Sequence, residues 1–458
     1  MKLDLTRIHS IYFLGIGGIG MSAQARYFRN RGIQVAGYDK NKTSLTDLLT
    51  GEGVPVHFTE NIGMIPSDPD LVIYTPAIPP DNTEFVYLME KGYPMLKRSE
   101  VLGELTKDIY TIAVAGTHGK TTITSMITHI LKTAGIRVTS FIGGISRNYG
   151  SNLVDDPNPE IMIVEADEYD RSFLSLRPDI IIISAMDADH LDVYGSQDQM
   201  IASYKEFAAQ VRENGHLVIN HAIRNHFPLN ITCSTVSASC PEASFFASGI
   251  RLTGGKQFLD IHLPDKQYAN LQVGVPGRFN VENAVTAVAA ASLAGIQEKD
   301  IRHSLATFRG VERRFDCRVI SDAVVYIDDY AHHPREISAC IQAARDLFPG
   351  KKITGIFQPH LYTRTRDLAG DFAISLSQLD ELILLEIYSA REKPIKGISS
   401  EMLLQRIQLK HKCLCSLDEL LQVLSHQQIE VLLSLGAGDI GERVSSIEKW
   451  MKETYEVR

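Results

Sequence analysis

Nothing in these 458 residues looks like a membrane anchor, because no apolar run approaches the roughly 20 residues that a spanning helix requires. Cysteine is sparse. The six that occur, at 233, 240, 317, 340, 413 and 415, form no C-x-x-C pair. Basic residues are outnumbered, 46 Lys and Arg against 55 Asp and Glu, which leaves a formal charge of −9. With no basic tract to offset that charge, broad nucleic-acid binding is not expected. Low-complexity sequence and short-period repeats are also missing. The opening MKLDLTRIHS lacks the apolar core of a signal peptide, so scattered thiols point to a reducing compartment and the cytoplasm is the expectation. What is there, 44 % hydrophobic and 22 % charged residues, is the balance of an ordinary globular chain. The length suggests about three domains.

Strand and helix signals alternate in three blocks. The first, to about residue 106, carries apolar runs at IYFLG, VAGYD (35–39) and LVIYTPA (71–77), with helical stretches between them. The second runs from YTIAVAG (110–116) through a helix from Lys120 to about Ala134, then RVTSFIG (137–143), IMIVEAD (161–167) and DIIIISAM (179–186). Such continuous apolar runs suit a parallel sheet covered on both faces. Residues 243–275 alternate in shorter segments and predict antiparallel strands, before a helix at 280–296. The third block alternates VVYIDDY (324–330), a helix after Pro334, KKITGIFQP (351–359), a helix after Arg364, ELILLEIY (381–388) and EVLLSLGAG (430–438). The predicted architecture is α/β throughout: a Rossmann-like domain at 1–106, a P-loop-type domain with a mostly parallel sheet at 107–311, and a second Rossmann-like domain at 312–458.

Two glycine loops carry the chemistry. Gly15, Gly17 and Gly20 stand in G-x-G-x-x-G spacing directly after the first strand, and Asp39 falls where the second strand should end. Taken alone this is the dinucleotide fingerprint, with a pyrophosphate on a helix N-terminus and an acid on a ribose. The second loop, Gly116-Thr117-His118-Gly119-Lys120-Thr121-Thr122, joins a strand to a helix. The standard mononucleotide pattern would need glycine at 114, where Val114 stands. The physics still fits a phosphate: backbone amides and a helix N-terminus face it, Lys120 neutralises charge, and Thr121 can ligate magnesium. A plain glycine turn capped by threonine would leave G-K-T-T without a packing purpose. Further acids and a histidine cluster at strand ends, where parallel sheets collect ligands: Glu165 and Asp167, then Asp187, Asp189 and His190. Thr121, Glu165 and His190 could meet beside the phosphates, although a hard ion prefers oxygen and His190 belongs, if anywhere, at a second ion. A helix-cap acid and a hydrogen-bonded loop histidine account for Glu165 and His190 equally well. GAGDIGER (436–443) reads as a helix start capped by Asp439, whose charge would repel an anion.

The motifs GTHGKTT, EADEYD and DADHLD, followed by GRFNVENAVTA (277–287), GVERRFD (310–316), DDYAHHP (328–334) and QPHLYTRTRD (358–367), stand in one colinear order. Together with GIGGIGMS they resemble the Mur ligase family of ATP-dependent peptide ligases over essentially the whole chain. The resemblance implies that the first loop holds a UDP-sugar: Gly17, Gly18, Ile19 and Gly20 against its diphosphate, Asp39 toward the uridine, and the loop TPAIPP, with Thr75, along the same cleft. It implies ATP on Gly116, Thr117, His118, Gly119, Lys120, Thr121 and Thr122, with Asn280 and Asn283 on adenine, Asp329 on the ribose and Arg314 on the transferred phosphate. Thr121 and Glu165 would bind one magnesium and Glu165 with His190 another, manganese being a possible substitute. Phe279 occupies a position where the family usually has histidine. Tyr330, His332, His360, Arg364 and Arg366 would surround the acceptor amino acid and the muramoyl carboxylate; in a loop both arginines could face the cleft. The implied reaction joins L-alanine to UDP-N-acetylmuramate through an acyl phosphate, in peptidoglycan precursor synthesis. Positioning and charge would do most of the catalysis, with Lys120, Arg314, His190 and His332 as catalytic candidates and domain closure assembling the site. A monomer or weak homodimer is expected. A nicotinamide oxidoreductase would leave GTHGKTT and the third block idle. A ligase attaching a whole recycled peptide, and a non-catalytic nucleotide-binding scaffold, are the other readings.

Overall fold

The computed structural model describes residues 7–187, 191–227, 232–253, 255–390 and 392–456. Three sheets organise it. The first has five strands in the order β3-β2-β1-β4-β5: β1 (Ser10–Leu14), β2 (Gln34–Tyr38), β3 (Val56–His57), β4 (Leu71–Tyr74) and β5 (Met95–Lys97). All its pairings are parallel. Ile11, Tyr12, Phe13 and Leu14 are fully buried, so both faces of β1 are covered and its run is continuously apolar. Helices α1 (Ile19–Asn30), α2 (Ser44–Gly51), α3 (Thr83–Glu90) and α4 (Arg98–Leu105) connect the strands. One buried acid in this layer, Glu84, is satisfied by His57 Nε2 (2.8 Å), the Asn61 amide (2.7 Å) and the Tyr12 hydroxyl, as an interior carboxyl must be.

The second sheet has ten strands in the order β15-β14-β13-β12-β11-β10-β6-β9-β7-β8. They are β6 (Tyr110–Ala115), β7 (Val138–Ser146), β8 (Ser151–Val154), β9 (Ile161–Glu165), β10 (Ile180–Ile183), β11 (His216–Asn220), β12 (Cys233–Ser237), β13 (Phe245–Thr253), β14 (Lys256–His262) and β15 (Gln267–Val273). From β13 to β7 neighbouring strands run parallel, and β8 returns antiparallel to β7. Helix α5 (Lys120–Thr133) is buried from Thr121 to Leu131. Two of its buried hydroxyls are tied down by hydrogen bonds: Thr128 Oγ1 bonds Thr124 O (2.7 Å) and Ser140 Oγ (2.8 Å), and Ser125 meets Ser146 (3.0 Å).

The third sheet has six strands in the order β16-β17-β21-β18-β19-β20: β16 (Asp316–Ile320), β17 (Val325–Asp329), β18 (Ile353–Phe357), β19 (Glu381–Leu385), β20 (His411–Cys415) and β21 (Val431–Leu435). Only β16 is antiparallel to its neighbour. The chain packs as two compact units. One comprises Met1–Ile250, Phe258–Val273 and Val281–Arg309, and the other Arg251–Gln257, Gly274–Asn280 and Gly310–Arg458. Among the described residues no helix is long and apolar enough to cross a membrane.

The main elements form where hydrophobic patterning predicts them. The short edge strands β3 and β5, two and three residues long, give too little periodicity to read. The helix near Arg364 begins earlier than predicted, at Tyr362, and therefore contains both Arg364 and Arg366.

Within the first unit, α1 is tied to the edge of the ten-stranded sheet by polar bonds. Buried Asn152 on β8 donates to Ile19 O (2.6 Å) and Ser22 Oγ (2.9 Å); Arg26 donates to Ser151 Oγ (2.7 Å), and Arg31 pairs with Asp155 at 3.0 Å. Asn152→Ala should therefore cost about 1–3 kcal/mol, because it removes two buried hydrogen bonds and leaves Ile19 O and Ser22 Oγ bonded only to each other among side-chain partners. Chemical denaturation checks this; an unchanged midpoint would show that these bonds add nothing.

Candidate active site

After β1 the backbone turns at Gly15, whose φ of +87° and lack of a Cβ are both required, since a Cβ would lie 2.5 Å from Thr75 Cγ2. The amides of Gly15 and Ile16 donate to Tyr38 O at 2.8 and 3.0 Å. Gly17 N donates to Asp39 Oδ2 (2.8 Å), and Asp39 Oδ1 accepts Asn41 N (3.0 Å). Asp39 thus braces the loop, its carboxylate accepting the Gly17 amide on one side and the Asn41 amide on the other. The amides that remain for an anion belong to the first turn of α1, at Ile19 and Gly20, where a helix leaves its N–H groups without intrahelical partners; Gly18 is the extended residue before it. Gly20 also gives Arg98 room, since a Cβ there would sit 2.8 Å from Nη1. Gln24 donates to Arg98 O (2.9 Å), and the guanidinium lies 3.5 Å from Asp167. Arg98 escaped the sequence reading. The available signal was a Lys-Arg pair opening a helix, the end where the macrodipole disfavours cations.

The second loop is held from below. Gly116 and Gly119 have φ of +130° and +83°. Ser184 Oγ donates to the carbonyls of Ala115 (3.2 Å) and His118. Thr117 N donates to Ala185 O (3.1 Å), while Thr117 Oγ1 accepts Asp187 N (3.1 Å). His118 Nε2 lies 3.2 Å from the Asp187 carboxylate, and Thr122 is buried in α5. Lys120, the first residue of α5, donates to Gly116 O (2.7 Å) and to Glu168 Oε1 (2.8 Å). Burial alone would lower its pKa, but Glu168, Asp167 and Glu165 together outweigh that and hold it above the usual lysine range, so it stays cationic. Glu168, almost wholly buried, is a second residue that the sequence reading passed over, inside EADEYD.

Thr121 Oγ1 donates to Glu165 Oε1 (3.0 Å), and Glu165 Oε2 accepts Gly143 N (2.9 Å). A hydroxyl and a carboxylate this close are the oxygen donors a hard cation takes, so the pair fits magnesium. His190 and Asp189 lie outside the described residues. Asn283 Oδ1 stands against Gly119, 2.7 Å from where a Cβ would be. Asn280 Nδ2 donates to Pro276 O (2.8 Å), so that amide helps fix its own turn. Phe279 packs edge-on to Phe315, centroids 5.7 Å apart.

Both loops open on one chamber. A cavity of about 300 Å³ within the first unit is lined by Gly18, Ile19 and Gly20 of the first loop, by Thr75 and Arg98, and by Lys120 and Glu165 of the second.

In the C-terminal unit a second group gathers past β17. The oxygens of Asp329, the residue expected on a ribose, accept the amides of Phe315 and Ala331, both at 2.7 Å, bracing the turn that carries Arg313 and Phe315 at positive φ. Burial pushes its pKa up to about 7, against the pull of Arg314. The Arg314 guanidinium lies 5.2 Å from the Tyr330 ring centroid. Tyr330 and His332 meet edge to face at 5.5 Å, His332 and His360 at 6.2 Å, and His360 stacks on Tyr388 at 5.6 Å. His332 Nδ1 lies 3.1 Å from Tyr330 O. Burial lowers its pKa to about 4, with help from Arg364 and against Glu336, so the ring is neutral at pH 7. His333 instead caps the helix Pro334–Leu347, its side chain accepting Arg335 N (3.3 Å). Arg366 does not join the group: it is exposed and pairs with its neighbour Asp367 at 2.7 Å, because two residues along a helix turn it away from Arg364. Asp439 is likewise not a side-chain cap. Gln358 does that work, accepting Ile440 N (2.9 Å) while its amide bonds Asp439.

Comparison with known proteins fits this geometry. The Mur ligase family catalytic domain matches residues 10–110, the Mur ligase middle domain 114–291, and the Mur ligase glutamate ligase domain 313–438. The chain is 47 % identical to the UDP-N-acetylmuramate–L-alanine ligase of Flavobacterium psychrophilum over 98 % of its own length and 100 % of that protein. It is 43 % identical to the enzyme of the same name from Porphyromonas gingivalis, over 96 % and 99 %. Its fold matches the UDP-N-acetylmuramate-alanine ligase structure from Thermotoga maritima with a TM-score of 0.83 at 29 % identity, covering 98 % of this chain and 100 % of that one. With three family domains matched in order and full-length relatives this similar, the chain belongs to the Mur ligase family.

Proposed function

We propose that this chain is an ATP-dependent ligase that joins L-alanine to the muramoyl carboxylate of UDP-N-acetylmuramate, in the cytoplasm, with module boundaries near residues 106 and 311. The observation that carries the reading is the single chamber shared by the two glycine loops, because a nucleotide-sugar ligase must bring a diphosphate-borne carboxylate to a triphosphate. The names of the full-length relatives supply the acceptor and the sugar.

A carboxylate resists attack by an amine at neutral pH, since oxide would have to leave. The muramoyl carboxylate oxygen therefore attacks the γ-phosphorus of ATP, the bond to ADP breaks, and an acyl phosphate forms. The alanine nitrogen then attacks the acyl carbon, the tetrahedral intermediate collapses, and inorganic phosphate departs as the nitrogen loses its proton. In this reading Ile19, Gly20 and Arg98 hold the diphosphate, Lys120 and the loop amides hold the β- and γ-phosphates, and Asn283 borders the nucleotide. Thr121 and Glu165 would hold magnesium, which would supply charge neutralisation to the phosphates. In the C-terminal unit, Arg314 serves the transferred phosphate, while Tyr330, His332, His360 and Arg364 form the acceptor group. A neutral His332 keeps a ring nitrogen open to accept a proton, although a pKa of about 4 makes it a weak base.

Phosphate release should require both UDP-N-acetylmuramate and L-alanine, and a tripeptide should not replace alanine; preference for the tripeptide would move the assignment to a peptide-recycling ligase. Lys120→Ala should cut turnover by about 100-fold or more, the equivalent of roughly 3 kcal/mol, with circular dichroism confirming the fold. Near-normal phosphate release by that variant would reject the loop assignment. Hydroxylamine should trap a muramoyl hydroxamate only when ATP is present. In ¹³C-labelled histidine spectra, the His332 signal should stay fixed from pH 8 to 5.5 and move only as the pH approaches 4. A midpoint near 6.5 would mean that the ring is solvated.

A further inference from the structure

Away from both glycine loops, the carboxyl edge of the ten-stranded sheet carries a separate set of metal-type donors. β11 and β12 run parallel, with Asn220 opposite Val236, so the chain leaves both strands at the same edge. His221 follows β11 at once and opens a 3-10 turn, His221–His226. Past β12 the segment Ser237-Ala238-Ser239-Cys240-Pro241-Glu242 folds back beside it. Ser237 Oγ accepts the amides of Ser239 (3.3 Å) and Cys240 (3.1 Å), and Cys240 O accepts Ala243 N (3.1 Å), which fixes the turn on which the thiol and the carboxylate stand.

One ligand atom from each of His221, Cys240 and Glu242 lies within 4.8 Å of the other two, and among the described residues no other trio of His, Cys, Asp and Glu comes so close. His221 Nε2 is 3.9 Å from Glu242 Oε2. The imidazole is otherwise little committed: its buried Nδ1 has no hydrogen-bond partner among the described residues, so turning the ring onto an ion breaks no hydrogen bond there.

We propose that His221, Cys240 and Glu242 bind one zinc-type divalent ion between the loops that follow β11 and β12. Bonds of about 2.0–2.3 Å in a tetrahedron place ligand atoms roughly 3.3–3.8 Å apart, so the trio needs to close by about an ångström. Nitrogen, thiolate and carboxylate are the donors zinc takes, and three of them leave a fourth position for water. A hard ion such as magnesium would not choose thiolate and imidazole, which makes this site distinct in kind from the Thr121–Glu165 pair. Glu242 is largely exposed, giving the ion a route from solvent. Its effect would be to clip two neighbouring sheet-edge loops together. The thiol must shed its proton to bind, so uptake releases a proton and strengthens as the pH rises.

Cobalt(II) titrated into the full-length protein tests this by absorbance. One equivalent should develop a thiolate-to-cobalt charge-transfer band that zinc displaces. Cys240→Ser should abolish the band and Cys233→Ser should leave it intact. Competition with a chromophoric chelator should show zinc affinity reduced on the order of 100-fold by His221→Gln. Glu242→Gln, on an exposed side chain, should also weaken binding and serves if His221→Gln does not fold. No band, a band surviving Cys240→Ser or lost in Cys233→Ser, or zinc affinity unmoved by both the His221 and Glu242 variants would each overturn the site.

Discussion

A buried ammonium is tolerable only when something nearby answers its charge, and that requirement organises the central sheet. Lys120 sits at the positive end of α5, where both the helix and burial work against it. Glu168 and the Gly116 carbonyl answer it directly, with Asp167 and Glu165 behind them. These acids exist at the carboxyl ends of parallel strands because the sheet delivers them there, and the loop's shape follows: Gly116 must turn so that its carbonyl points inward at the amine. The ammonium is thus held charged and in a fixed orientation by the protein's own groups.

The two glycine loops differ in how they reach similar ends. The second loop surrounds its lysine with acids and spends side-chain hydroxyls on its own framework, as Ser184 and Thr117 do. The first has no lysine of its own. It relies on the opening turn of α1, with Arg98 brought in from α4 by the gap that Gly20 leaves. That turn is in turn anchored by Asn152.

The sheets were readable because β1, β9 and β10 are covered on both faces and so must be apolar without interruption. The glycine loops were readable because a strand-to-helix turn with residues at positive φ, as at Gly15, Gly116 and Gly119, tolerates few side chains. Positions fixed by long-range hydrogen bonding were not. Asp329 has the sequence look of a ligand-binding acid, yet its two oxygens are taken by amides on either side of it in the chain. Arg366 differs from Arg364 only by where a short helix starts, and boundaries are the weakest element of any pattern argument. Gln358 caps a helix 82 residues away, a pairing that no local spacing announces.

Asp39 carries one more consequence. In a nicotinamide enzyme the acid after the second strand reads the sugar hydroxyls, and exchanging it is how one nucleotide is traded for another. Here the same position is a half-buried strut, bonded to the backbone of Gly17 and then Asn41. Retargeting the pocket by editing residue 39 would undo the turn before it altered what the turn holds, so any change of nucleotide preference has to be built elsewhere along the chamber wall.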